Sequence, residues 1–268
     1  EIRLRGIAGP DAAQADFFMD HHNADGLTAE MCGNGIRCLA KFAFDRGLTA
    51  SRELDVMTRA GMKHLSLHVG PAGTVDAVTV DMGRPELDVS RVPMRGAAGT
   101  TFVGRPFDAA GRSWTATAVS MGNPHIVLFL GSGDDVDAID VDGIGPQIET
   151  RPEFPNRTNV EFVKVVDDLI HMRVWERGVG QTAACGTGAC AALVACSLNG
   201  LTGRAADVLL PGGRLHIEWR TEDDRVLMTG PAEWVFDGEF SESWLAAATG
   251  GVVAQATHPV SPVGAPSR

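Results

Sequence analysis

Two short segments of this chain place a thiol, two glycines and the start of a helix side by side. One is Met31-Cys32-Gly33-Asn34-Gly35, the other Ala184-Cys185-Gly186-Thr187-Gly188. Each leads into a stretch that reads as a helix, 33–46 and 186–199. The first turn of a helix leaves backbone N–H groups unpaired and carries partial positive charge. A cysteine there is expected to ionise more readily, and the glycines let backbone amides approach an anion such as a carboxylate. The two segments also recur in register. Asn23 lies nine residues before Cys32, and Glu176 lies nine before Cys185. Strand, polar loop, C-G-x-G and helix thus occur twice, which reads as a duplicated lobe with one cysteine in each copy.

Two thiols facing each other across a cleft suit inversion at a carbon acid. Removing the α-proton of an amino acid leaves a flattened carbanion, and a proton must return from the opposite face. One group then starts as thiolate and the other as thiol. The neighbouring carboxylate would sit on both sets of helix amides, whose dipoles stabilise the enolate-like charge. Exclusion of water strengthens that term, and each positioned proton transfer adds roughly 10²–10⁴-fold.

These residues resemble the signature segments of the diaminopimelate epimerase family. N-A-D-G at 23–26 with M-C-G-N-G-I-R-C at 31–38, and E-R-G-x-G-Q-T-x-A-C-G-T-G-A-C-A at 176–191, carry the resemblance. V-S-M-G-N-P-H (119–125), F-P-N-R-T-N-V-E-F (154–162) and L-P-G-G-R-L-H-I-E-W (210–219) agree with it in order. The resemblance spans residues 15–240 and implies an enzyme that interconverts LL- and meso-diaminopimelate without pyridoxal phosphate or any other cofactor or metal. Cys32 and Cys185 would be the acid/base pair. Gly33-Asn34 and Gly186-Thr187 would hold the reacting carboxylate. Asn23, Asn159 and Arg177 would bind the distal head, Asn123 and Glu176 would line its pocket, and His125 and Glu176 would assist the thiols. The implied fold is α+β, with two pseudo-symmetric lobes, each a curled, mostly antiparallel sheet around a central helix. The lobes would be 1–82 plus 231–245, and 83–230, with a disordered tail at 256–268. The family also implies a homodimer. Its opening glycine-rich segments have no counterpart here, so about forty residues of the pattern are expected to be missing, since a lobe without its first strands exposes sheet edge.

Apolar periodicity supplies the elements that must hold these residues. Strands are expected at Ala15–His22, Leu54–Thr58, His64–Val69, Val75–Met82, Thr115–Met121, Ile126–Leu130, Asn159–Val166 and Leu169–Trp175. The last two would be joined by a turn at Asp167-Asp168. Further short strands are expected at Val208–Leu210, Leu215–Trp219, Val226–Thr229 and Ala232–Phe236, and a Pro- and Gly-rich loop from Gly83 to Arg112. The helix at 33–46 is amphipathic and stops at Gly47. The helix at 186–199 is apolar on nearly all sides, so it is expected to be buried, and stops at Gly200.

The chain has 268 residues, 44% of them hydrophobic, and a formal net charge of −11. That length buries a real core. The charge argues against nucleic acid and anionic membrane surfaces as partners. No apolar run approaches the ~20 residues needed to span a bilayer. No signal peptide is read, and five cysteines without a C-x2-C spacing suggest reduced thiols in the cytoplasm. Cys38, Cys190 and Cys196 are expected to pack inside the helices. Arg37 is either a ligand contact or a surface ion-pair partner. His21 and His22 read as solvated or hydrogen-bonded rather than metal-binding. Gly186 to Ala191 fits a loose dinucleotide pattern but follows no buried parallel strand. Lys41, Lys63 and Lys164, the three lysines, lie outside glycine-rich loops, which disfavours a pyridoxal phosphate enzyme. Two alternatives remain on the residues alone. One is a related isomerase such as proline racemase, which carries M-C-G-H-G where this chain has Asn34. The other is a binding protein that keeps the pocket without the chemistry.

Overall fold

Alternating apolar and polar residues build most of this chain into strands. The structure, a computed structural model, describes residues 14–22, 28–29 and 31–248. The chain divides into two units, Glu1–Ala232 and Glu233–Arg268. In the first unit, β1 (Phe17–Phe18), β2 (His21–His22) and β3 (Thr28–Ala29) precede α1 (Gly33–Asp45). Strands β4 (Glu53–Thr58), β5 (Gly61–Val69), β6 (Val75–Gly83), β7 (Arg105–Ala109), β8 (Arg112–Ser120) and β9 (Pro124–Phe129) follow. Then come α2 (Val141–Glu149), β10 (Asn159–Val166), β11 (Leu169–Glu176), β12 (Gly180–Thr182), α3 (Gly186–Leu198), β13 (Ala205–Leu210), β14 (Gly213–Trp219) and β15 (Val226–Pro231).

All the strands but β2 and β3 form one mixed sheet in the order β1-β4-β5-β6-β15-β14-β13-β11-β10-β9-β8-β7, with β12 added against β11, while β2 and β3 pair with each other in a sheet of their own. Among the described residues, only β1–β4, β13–β11 and β10–β9 are parallel. The fold is α+β. The antiparallel β6–β15 ladder joins residues 75–83 to 226–231, so both halves of the sheet are continuous.

The two central helices are built differently. On α1, Ile36, Ala40 and Ala43 are buried against the sheet, while Phe42 is exposed. On α3 every residue from Gly188 to Cys196 is buried. That run, G-A-C-A-A-L-V-A-C, consists of small side chains apart from Leu193 and Val194, which lets strands close in on all sides. Helix α3 packs against strands from β8 to β15 across the curled sheet. Both helices end alike. Gly47 and Gly200 adopt φ +69° and +68°. The amides of Leu48 and Leu201 donate back to the Ala43 and Cys196 carbonyls at 2.9 Å. This is the left-handed glycine stop read from the sequence. Asp167 and Asp168, both at positive φ, make the expected tight β10–β11 turn.

Several expectations are corrected. Ala15–His22 is not one strand: the chain leaves the β4 ladder after Met19, where Asp20 accepts a bond from Arg59 at 2.9 Å, and His21–His22 pairs with β3 instead. The 83–112 loop contains β7. Ala232–Phe236 forms no strand, because β15 ends at Pro231, which has no N–H to donate. Cys38 is exposed rather than packed; it stands two residues, about 200° of helix rotation, from buried Ile36. Cys190 and Cys196 are fully buried as expected.

In the second unit, α4 (Glu242–Ala248) follows a segment without regular structure. The Phe240 and Trp244 rings stack there with centroids 4.4 Å apart. Among the described residues, no helix is long and apolar enough to cross a membrane. The expected tail, 256–268, lies outside the described residues.

Candidate active site

Cys32 and Cys185 each cap a helix, with nearly identical backbones. Cys32 has φ −133°, ψ 115° and caps α1; Cys185 has φ −129°, ψ 111° and caps α3. The two helix starts meet. A methyl group on Gly33 would stand 3.7 Å from the Gly186 Cα, and one on Gly186 would stand 3.6 Å from the Gly33 Cα. Buried Met228 of β15 lies beneath both, 3.0 Å and 2.9 Å from the same two methyl positions. The first glycine of each C-G-x-G therefore permits the helices to touch. The second makes room for side chains: a methyl on Gly188 would lie 2.8 Å from Glu161 Oε1 and 3.3 Å from Cys185 Sγ, and one on Gly35 only 2.8 Å from Met19 Cε.

Above this junction is a cavity of about 430 Å³, within the usual range for small-molecule sites. Both cysteines line it, with Gly33, Asn34, Gly186, Thr187, Asn123, Asn159, Glu176 and Arg177. The cavity thus gathers all but two of the residues to which the resemblance gives a site role. Asn23 lies outside the described residues. His125 is fully buried behind Asn123, with its Nε2 2.9 Å from Asn123 Oδ1.

The sulfurs are held unequally. Cys32 Sγ accepts the Gly35 amide at 3.4 Å. Cys185 makes no such cap bond, and its sulfur lies 3.6 Å from the Thr187 hydroxyl. Burial pushes the Cys185 thiol well above its ordinary range, with the negative charge of the nearby Glu176 adding to the push. The Thr187 hydroxyl and the nearby Gly188 amide pull the other way. At this cysteine the desolvation cost outweighs the helix-start effect expected from the sequence.

The polar wall is cross-braced. Asn159 donates to the Pro124 carbonyl at 2.7 Å and accepts the Arg177 amide at 2.9 Å, so it also fixes the loop that carries Arg177. The Arg177 guanidinium donates to the Asn156 carbonyl at 3.3 Å. Glu176 accepts from Thr182. Arg37 is neither a ligand contact nor a surface ion pair. It is buried and donates to the Gly33 carbonyl (3.0 Å), Asn34 Oδ1 (3.2 Å) and the Pro231 carbonyl (3.2 Å), bracing the α1 start.

Four further residues come from the structure. Glu149 at the end of α2 is buried and accepts from Trp175 Nε1 (2.7 Å) and the Gly178 amide (2.9 Å), clamping the 175–178 turn. No local signal announces it, since α2 contains Gly143, Gly145 and Pro146. Glu161 is fully buried 2.6 Å from His125 Nδ1; an acid inside the apolar run N-V-E-F-V was its signal. Lys63 lines the cavity as a second cation, its pKa lowered mainly by burial. His21 also lines it, rather than being simply solvated, with Nδ1 buried and unpartnered among the described residues.

The family described as diaminopimelate epimerase matches residues 7–87 and 117–235. A diaminopimelate epimerase from Leptospira biflexa is 49% identical over 225 residues, covering 84% of this chain and 79% of that protein. One from Pelotomaculum thermopropionicum is 51% identical over 227 residues, covering 84% and 79%. Among solved structures, a probable proline racemase from Agrobacterium radiobacter superposes with a TM-score of 0.56 at 13% identity, over 80% of this chain and 70% of that one. A PhzF-family phenazine biosynthesis protein from Bacillus anthracis superposes with a TM-score of 0.53 at 15% identity, over 77% and 74%. At such identities the structural likeness shows a shared fold.

Proposed function

This chain belongs to the diaminopimelate epimerase family, and on that premise we propose that it interconverts LL- and meso-diaminopimelate without a cofactor, using Cys32 and Cys185 as paired base and acid. The observation that carries the reading is the junction of two cysteine-capped helices at Gly33 and Gly186, under one cavity lined by both thiols.

The reacting carboxylate sits on the amides of Gly33-Asn34 and Gly186-Thr187, where two sets of unpaired helix donors converge. The thiolate on one side removes the α-proton. The pair of electrons spreads into the carboxylate, and the amides stabilise that charge. The thiol on the other side donates its proton to the opposite face, inverting the centre. Burial favours Cys185 as the initially protonated partner; in the reverse direction the roles exchange. The distal head is a second zwitterion. Arg177 pairs its carboxylate through two N–H groups, Asn23 and Asn159 complete the fork with Asn amides, and Asn123 and Glu176 line the pocket. His125, from behind Asn123, and Glu176 assist the thiol chemistry. A doubly zwitterionic substrate carries no net charge, so a protein charge of −11 does not repel it.

The wider reading includes the two lobes, 1–82 with 231–245 and 83–230, a homodimer, and a cytoplasmic location. Reducing conditions suit the last, since all five cysteines are free. The test is exchange of the α-proton with deuterated water and epimerisation of diaminopimelate, with no added cofactor. Cys32→Ala and Cys185→Ala each abolish epimerisation; full activity in either variant overturns the reading.

A further inference from the structure

Glu161 sits on β10, with 0% exposure, in a position that no binding role requires. Its Oε1 lies 2.6 Å from His125 Nδ1, and its Oε2 has no hydrogen-bond partner among the described residues. His125 Nε2 lies 2.9 Å from Asn123 Oδ1. Asn123 Nδ2 donates to Thr187 Oγ1 at 3.3 Å, and Thr187 Oγ1 lies 3.6 Å from Cys185 Sγ. Five side chains therefore make one unbroken series from a buried acid to a thiol.

We propose that this series is a one-directional hydrogen-bond chain ending on the Cys185 sulfur, in which Glu161 is the positioning residue that decides which ring nitrogen of His125 bears hydrogen. The orphaned Oε2 sets the direction. A buried carboxylate with an unpartnered oxygen is far costlier than a neutral acid in the same place. A neutral Glu161 donates from Oε1 to His125 Nδ1, which must then be the bare nitrogen. The hydrogen sits on Nε2 and is donated to Asn123 Oδ1. The Asn123 amide group is thereby oriented with Nδ2 toward Thr187. Because Thr187 Oγ1 accepts that bond, its own hydrogen is free to turn to Cys185 as the sulfur becomes thiolate. Burial pushes the Glu161 carboxyl upward, in the same sense.

The device acts on one thiol only. Cys32 receives the Gly35 amide at 3.4 Å, whereas Cys185 makes no such cap bond and faces the Thr187 hydroxyl, with the Gly188 amide nearby. Among the described residues, the titratable groups around Cys185 are Cys32, His21, Lys63, Glu176 and Arg177 along the cavity, and Glu161 and His125 behind it. Removing a donor from the sulfur raises the pH at which it ionises.

The inference rests on the epimerase reading for its purpose but not for its test. Alkylation by iodoacetamide is followed against pH, with Cys185 and Cys32 peptides quantified separately by mass spectrometry, and folding checked by circular dichroism. Thr187→Val and Glu161→Leu shift the Cys185 profile up by about one pH unit, a roughly tenfold slower reaction at a fixed lower pH, and leave the Cys32 profile in place. Thr187→Ser keeps the hydroxyl and Glu161→Gln keeps a donor toward Nδ1, so both restore the wild-type profile. An unchanged Cys185 profile in Thr187→Val overturns the proposal, as do equal shifts at both thiols. So does Glu161→Gln shifting the profile when it is folded, because that outcome requires an ionised carboxylate. Should Glu161→Leu fail to fold, Thr187→Val and Glu161→Gln decide the matter. Failure of the epimerase reading shows separately, as absent α-proton exchange in the unmodified protein.

Discussion

Replacing Gly186 by alanine probes the contact on which the site depends. The added methyl would lie 2.9 Å from Met228 Sδ, 3.4 Å from Met228 Cε and 3.6 Å from the Gly33 Cα. Met228 is fully buried, so its sulfur has no solvent to move into. Either the core around it shifts or the two helix starts separate. Overpacking of this kind costs about 1–3 kcal/mol. Alanine recovers up to about 1 kcal/mol relative to glycine in a helix. The net loss is therefore about 0–3 kcal/mol, a fall in Tm of roughly 0–12 °C for a chain of this size. The rate suffers more than the fold, because a misplacement of about 1 Å at a reacting centre costs about 100-fold. Gly186→Ala is thus expected to melt within that interval while α-proton exchange, followed by NMR in deuterated water, slows by about tenfold or more. Gly33→Ala meets mainly the movable Met228 Cε, at 3.0 Å, and is expected to be the milder variant. A Gly186→Ala rate within about twofold of the wild type, or a worse result for Gly33→Ala, refutes the idea that this contact sets the amide cradle.

Other outcomes follow from the same geometry. Arg177→Gln removes a charged fork to the distal carboxylate and raises KM by roughly 10–100-fold with a smaller effect on kcat; steady-state kinetics with diaminopimelate check this, and Arg177→Lys restores little, since an ammonium cannot make two parallel bonds. Glu149→Ala frees Trp175 Nε1 and the Gly178 amide, costs about 1.5–3 kcal/mol in urea unfolding, and raises KM through the loosened Arg177 loop. Stability declines in alkali. Burial raises the Cys190 and Cys196 thiols to about 12 and also raises Cys185, whereas unfolded cysteines ionise near ~8.5. Their contribution is complete below the unfolded pKa and is lost as pH rises from there toward the folded values, at up to about 1.4 kcal/mol per pH unit for each thiol. Replacing Cys190 and Cys196 by alanine flattens the alkaline limb of unfolding free energy against pH.

What could be read in advance was local. The C-G-x-G turns, the glycine stops at Gly47 and Gly200 and the Asp167-Asp168 hairpin are each specified by a few adjacent residues, and each is found where the pattern put it. Helix α3 announced its burial because small apolar residues surround it. Helix α2 was invisible, since two glycines and a proline oppose helix formation; Asp140 accepting the Gly143 amide at 2.9 Å and packing against Trp175 sustain it instead. The β6–β15 ladder could not be read either, because it joins segments about 150 residues apart through register alone. At the site, residue types were legible but partners were not. Asn159 looked like a binding residue or a turn residue, and at the cavity wall it bonds instead to backbone groups distant in sequence, at Pro124 and Arg177. The Glu161–His125 pair required two strands to be placed side by side before an acid in an apolar run acquired a meaning.

The most direct test follows where label goes during the first turnovers in deuterated water. Two thiols on opposite faces predict that newly formed epimer carries solvent deuterium at the inverted carbon, while unreacted substrate keeps its protium, because the removing sulfur returns the hydrogen it took. Product that retains the original hydrogen, or deuterium appearing equally in both pools from the outset, would mean that one group serves both faces and would contradict the account.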